Sequence, residues 1–293
     1  MNNNVQSIIQ PTLKGSIKIF VEKVHVEGNG VILLTGPSGC GKGEIAKALC
    51  KFLSIPEDKH LSMGDILRKT IKKANEDLGF RLILEVKYCI SDNVSICDTN
   101  KNRLEIIDKA NSYKDEMHNF FGASKNKFSQ LDWLQFCVSN GLLVPDEWTE
   151  KIMEALFENS SEMKQGILIL DGYPRTVVAA EYLLKAFNRL EIPIIKVLHL
   201  FITKEQMNYR ILSRKRTDDT GESLERRYQF YIDKVQPCID YLKSCMGSEM
   251  VSLIDAHQPV FENSKMDVEA SIYQVVISVM QALGLPGYLL DLK

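Results

Sequence analysis

Long apolar runs are missing from this 293-residue chain: no stretch approaches the roughly 20 apolar residues that a membrane-spanning helix needs, and a membrane protein is not expected. A strong charge of one sign is missing as well. The formal net charge of −2 supplies no long-range field for a nucleic acid, so a bound polyanion is expected to be small and no nucleic-acid partner is implied. Cys-x-x-Cys pairs are absent too. The seven cysteines, Cys40, Cys50, Cys89, Cys97, Cys137, Cys238 and Cys245, are odd in number and unpaired in spacing, which argues for a reducing compartment and against a zinc site. The first 28 residues contain no Arg and lack a signal-peptide layout, so a cytoplasmic protein is expected. There is no internal repeat and no low-complexity segment.

What is present is ordinary for a globular protein, with 45% hydrophobic and 25% charged residues. The length suits one core carrying insertions. Short apolar runs at Val31–Thr35, Gly166–Leu170, Ile194–Phe201 and Met250–Ile254 read as strands buried on both faces. Between them, Glu44–Leu53, Gly64–Ala74, Asp146–Glu158, Val177–Leu190, Lys204–Arg216, Ser223–Cys245 and Val268–Leu283 carry apolar residues at helical steps. This alternation predicts an α/β fold, a parallel sheet in three layers with helices on both faces and ligands at the carboxyl ends of the strands. Residues 70 to about 140 have no clear period and read as an inserted subdomain, either a surface layer or a binding element.

The most specific feature is Gly36-Pro-Ser38-Gly39-Cys40-Gly41-Lys42-Gly43, set between an apolar strand and a helix. Such a loop turns main-chain N–H groups inward beside a helix N-terminus and holds polyphosphate, with Lys42 as the mobile charge. Cys40, at a helix N-terminus, reads either as a thiol of lowered pKa or as a small side chain tolerated in the loop. Four more segments carry phosphate chemistry: Ser62-Met63-Gly64-Asp65 through Arg68; Gly141-Leu-Leu143-Val144-Pro-Asp146; Asp171-Gly172-Tyr-Pro-Arg175; and Arg210-x-x-x-Arg214-x-Arg216-x-Asp218-Asp219, continued by Arg227. Transfer between two phosphates needs both in line, water excluded and charge neutralised, and arginine forks do this at any relevant pH. Asp171, at a strand end, suits magnesium held through water.

With these residues in view, the chain resembles the adenylate kinase family of nucleoside monophosphate kinases, and Lys42-Gly43 is that family's form of the loop. The resemblance implies an ATP-dependent transferase acting with Mg2+ on a nucleoside monophosphate, and a monomer is expected. It places Gly36, Ser38, Gly39, Cys40, Gly41, Lys42, Gly43 and Arg210 at the donor nucleotide. Met63, Gly64, Arg68, Leu143, Val144, Gly172 and Arg175 fall at the acceptor. Lys42, Arg214, Arg216 and Arg227 would act on the transferred phosphoryl group, Asp218 and Asp219 would position the lid, and Asp171 would orient the metal. The implied division is a core of residues 1–61 and 147–293, an acceptor-binding subdomain over 62–146 enlarged by an insertion at about 72–138, and a short lid at 210–220. Three positions depart from the family: Glu44 replaces a Thr, and Met63 and Ala179 replace the Thr and Gln that read adenine. Met63 reads equally as pocket wall or core filler. The departures keep two alternatives open, a weakened nucleotide-binding module whose insertion engages a partner and a kinase with a non-AMP acceptor.

Overall fold

The computed structural model describes residues 28–99, 104–159, 165–213 and 221–285. In chain order these form β1 (Gly30–Thr35), α1 (Lys42–Phe52), β2 (His60–Ser62), α2 (Met63–Glu76), α3 (Leu78–Tyr88) and α4 (Ile96–Thr99). Next come α5 (Leu104–Ser112), α6 (Lys114–Phe121), α7 (Gln130–Ser139), α8 (Asp146–Asn159), β3 (Ile167–Asp171), α9 (Val177–Arg189) and β4 (Ile194–Phe201). The remainder is α10 (Lys204–Ser213), α11 (Gly221–Phe230), a π-helical segment (Tyr231–Val235), α12 (Gln236–Met246), β5 (Val251–Asp255), β6 (Val260–Glu262), β7 (Lys265–Asp267) and α13 (Val268–Ala282).

Five strands pair in the order β2-β3-β1-β4-β5, all parallel, and β6 and β7 form a separate antiparallel hairpin. Because β1 lies between β3 and β4, the chain leaves it in opposite directions across the sheet, and the crevice of an open α/β sheet opens at that point. Strand side chains alternate between two cores. Val31, Leu33, Leu168, Leu170 and Val197 face one, and Ile32, Leu34, Ile169, Leu198 and Leu200 face the other. The second core is closed by α1, α10 and α13 through Leu49, Ile211 and Val279. The first is closed by α2, α8, α9 and α12 through Leu67, Trp148, Leu183 and Leu242, and it runs on without a break into Met117 of α6, Phe128, and Trp133 and Phe136 of α7.

The region without a clear period is helical. On α3, Leu84 is buried, yet Leu78, Leu82 and Val86 on another face are 73%, 61% and 81% exposed, so apolar residues surround the helix and blur its period. Local starts are clear nonetheless. Ser129 and Asp132 form a reciprocal capping box at α7, and the side chains of Asp77, Thr176 and Asp267 cap α3, α9 and α13.

The stretch Ser223–Cys245, which reads as one helix, is broken by the π segment. Pro237 follows at the start of α12 and has no N–H to donate back to the preceding turn, so the α ladder cannot run through it. Tyr231 opens the π segment, and its hydroxyl lies 2.9 Å from Nε2 of His199 on β4, with the two rings stacked at 5.8 Å and 6°. His199 is 2% exposed. No helix of the described residues is long and apolar enough to cross a membrane, and all seven cysteines are free.

Candidate functional site

β1 delivers the chain into the glycine-rich loop at the crevice. Gly36 has φ 142°, and a Cβ there would stand 2.3 Å from the Leu200 carbonyl oxygen of β4, so only glycine lets the loop lie against the sheet. Lys42, first residue of α1, turns back over the loop: its Nζ donates to the carbonyls of Gly36 at 3.0 Å and Pro37 at 2.9 Å and reaches Cys40 Sγ at 3.7 Å. Cys40 is buried, and burial raises its thiol pKa more than the neighbouring Lys42 lowers it. The thiol therefore stays protonated. Of its two readings, the small side chain tolerated in the loop fits this setting.

A cleft of about 800 Å³ lies along the carboxyl ends of the strands. It is lined by Ser38, Gly39, Cys40, Gly41, Lys42 and Gly43, by Gly64, Arg68, Leu143, Val144, Gly172 and Arg175, and by Asp171, Arg210 and Arg227. Arg210 ties the loop to the end of β5, since Nη1 donates to Cys40 O at 3.3 Å and Nη2 to Ala256 O at 2.8 Å and approaches His257 Nδ1 at 3.3 Å. Arg68, on the exposed face of α2, pairs with Asp65 at 2.5 Å and holds that carboxyl below its ordinary pKa. Arg175 follows the turn after β3, where its Nε donates to Gly172 O at 2.7 Å. Desolvation in the cleft lowers the Arg175 pKa, Asp171 opposes this, and Arg68 adds to it. Gly141, at φ 66°, is the seat for Arg227: a Cβ there would fall 3.0 Å from the Arg227 Nη2.

Asp171 ends β3 and is buried, its Oδ1 has no hydrogen-bond partner among the described residues, and its Oδ2 lies 3.8 Å from His60 Nε2, which also has none. A buried, unsatisfied carboxylate oxygen facing the phosphate loop fits a water-bound divalent cation. Among the described residues no group of three or more His, Cys, Asp or Glu side chains could hold a metal without other ligands.

Not every predicted residue reaches the cleft. Met63 is 3% exposed and belongs to the core beneath α2, so of its two readings the core filler matches its placement. Ala179, 1% exposed on α9, is likewise internal. Glu44 does reach the rim, where its exposed carboxylate meets Lys47 at 3.3 Å. Arg214, Arg216, Asp218 and Asp219 lie outside the described residues.

Tyr209, His257, Met266 and Val268, which carried no sequence signal, also line the cleft, the last two from the β6–β7 hairpin and the start of α13. Asp146 accepts a 2.9 Å bond from Thr176 Oγ1, which fastens the start of α8 to the cap of α9, and burial raises its pKa while Thr176 and Lys234 oppose the rise.

The adenylate kinase family model matches residues 124–246. Among curated proteins, an adenylate kinase of Cyanothece sp. (strain PCC 7425) is 27% identical over 249 residues, covering 84% of this chain and 94% of its own. Adenylate kinase 1 of Nostoc sp. (strain PCC 7120) is 30% identical over 210 residues, covering 72% and 83%. An adenylate kinase of Thermotoga maritima is 27% identical over 241 residues, covering 72% and 84%.

Proposed function

The chain belongs to the adenylate kinase family, and from that membership we propose that it transfers the γ-phosphoryl group of ATP, reversibly and with Mg2+, to AMP or another nucleoside monophosphate. The observation that carries this reading is the one cleft that the phosphate loop, Arg68 and Arg175 all line.

In this reading the loop amides and Lys42 bind the β and γ phosphates of the donor. Lys42 exchanges its bonds to the Gly36 and Pro37 carbonyls for phosphate oxygens, so its charge is positioned before the ligand arrives. Arg210 lies along the donor base and keeps Cys40 registered against Ala256. Arg68 and Arg175 grip the acceptor's α-phosphate; Asp65 then gives up part of its hold on Arg68. Arg227, with Arg214 and Arg216 of the lid, neutralises the charge that spreads over the transferred group, while Asp218 and Asp219 hold the lid arginines. Asp171 would hold Mg2+ through water, and the cation would supply charge neutralisation to the donor phosphates. No side chain acts as general base; the work is alignment and charge neutralisation in a site from which water is excluded.

On the acceptor side, Leu143 and Val144 form an apolar wall, and neither Met63 nor Ala179 offers a polar atom to a base. A missing reader costs about 1–3 kcal/mol for each unmet contact, so the acceptor preference is broad or is set by main-chain groups. Glu44 does not favour the weakened-module reading, because its carboxylate is 62% exposed and paired with Lys47, where solvent and salt screen it.

The test is a coupled assay with ATP, magnesium and a panel of AMP, dAMP, GMP, CMP and UMP. Turnover with at least one acceptor is expected. Folded protein that binds ATP and turns over none of them sinks the reading.

A further inference from the structure

The insertion reaches the place where phosphate would be transferred. Its helices α5 and α6 meet at Tyr113, whose ring lies 6.2 Å from that of Trp133 and 5.9 Å from that of Phe136 on α7. The Met117 amide donates to the Tyr113 carbonyl at 2.9 Å, and Met117 is buried in the shared core, so the α5–α6 corner is pinned to α7. Lys109 stands four residues before Tyr113, on the same face of the chain's helical path.

Both residues line a second chamber of about 190 Å³, bounded on its far side by Gly36, Pro37, Ser38 and Lys42 of the phosphate loop. Arg175, Arg226 and Arg227 complete its charged wall. Five of the residues that line the chamber, Lys42, Lys109, Arg175, Arg226 and Arg227, are cationic, and none is acidic. A lining that sets several cationic side chains beside the phosphate loop suits a small polyanion. Phosphate is the anion whose charge and oxygen count match such a wall. Lys109 is partly buried, and its charge also reaches the interior at Cys137, where it opposes the rise that burial gives that thiol.

We propose that Lys109 is a phosphate-contacting residue of this site, supplied by the insertion, and that the α5–α6 corner is a fixed wall of the phosphoryl-transfer chamber. In its kinetic consequences the proposal rests on the kinase reading; in its binding consequence it does not. Placing a cation there from a pinned helix corner adds charge that does not depend on lid closure.

The experiment uses the full chain with Lys109→Met, Lys109→Arg and, as control, Lys114→Met at an exposed position of α6 outside both cavities. Thermal unfolding midpoints establish that each variant folds. Two readouts are taken: affinity for inorganic tripolyphosphate by calorimetry, and kcat and KM with ATP and the best acceptor. Lys109→Met is expected to weaken tripolyphosphate by roughly 5- to 10-fold and to lower kcat/KM by roughly 10- to 100-fold, mainly through kcat. Lys109→Arg should recover most of both losses, and Lys114→Met should change neither. Unchanged tripolyphosphate affinity in Lys109→Met overturns the proposal, as does an equal loss in Lys114→Met. If the parent protein turns over no acceptor while Lys109→Met still weakens tripolyphosphate, the kinase reading fails and the phosphate contact stands.

Discussion

Acidification should unfold this protein through one buried ring. His199 on β4 is 2% exposed, and its pKa is pushed down to about 4, first by burial, then by the charges of Lys42 and Lys243, with Asp240 opposing. In the unfolded chain the ring returns to an ordinary value near 6.5. Between those two values the unfolded chain holds a proton that the folded chain does not, so acid favours unfolding. The penalty is absent above pH 6.5, grows as pH falls, and is complete below about pH 4. The full separation corresponds to about 3 kcal/mol, of which about 2.5 kcal/mol is reached by pH 4.5. That is a large share of the about 5–15 kcal/mol that stabilises most domains. The perturbation is His199→Leu, which removes the titrating ring and leaves Tyr231 with the neighbouring Gln236. Urea unfolding of both proteins is followed from about pH 7 to about pH 4.5, and the parent should lose about 2.5 kcal/mol more than the variant over that range. The variant's cost at neutral pH does not enter the comparison, because the slopes are read. Stability curves that stay parallel within about 0.5 kcal/mol would refute the reasoning.

Three further substitutions probe the cleft. Gly36→Ala puts a methyl group 2.3 Å from the Leu200 carbonyl oxygen, so ATP should no longer raise the melting temperature; an undiminished ATP-induced shift would contradict the tight seating of the loop. Arg210→Met removes the bonds to Cys40 O, Ala256 O and His257, and KM for ATP should rise roughly 10-fold with the acceptor's KM unchanged, as steady-state kinetics would report. Asp171→Asn keeps the shape while removing a buried carboxylate whose Oδ1 is unpaired. The melting temperature without nucleotide should hold or rise while the Mg2+ needed for half-maximal turnover increases, and a clear fall in melting temperature would count against the role.

Four of the five strands of the sheet were readable as short, mainly apolar runs such as Val31–Thr35, since a strand buried on both faces needs no alternation to be seen, whereas the three-residue β2 was not. That the glycine-rich loop and the arginines at 68, 175 and 210 gather at one cleft was legible because such motifs fix residue type and spacing within a few positions. The β6–β7 hairpin was not, since each strand has three residues and neither Phe261 nor Met266 is buried. Lys109 and Tyr113 were illegible for a different reason. They reach the chamber only because aromatic packing at Trp133 and Phe136, twenty or more residues away in sequence, folds the α5–α6 corner back, and no local pattern encodes that.

The unbroken core that joins β1 and β3 to Met117, Phe128, Trp133 and Phe136 makes α6 and α7 part of one cooperative unit with the sheet. Amide protons in α7 should exchange with solvent as slowly as those in β1, because opening either requires both to lose the same apolar interior. Excising the helices between α2 and α8 would uncover α2, which packs on α7, and α8, which packs on α3, so variation in this chain is expected to be tolerated along the exposed Leu78, Leu82 and Val86 face of α3 and not at the buried seam.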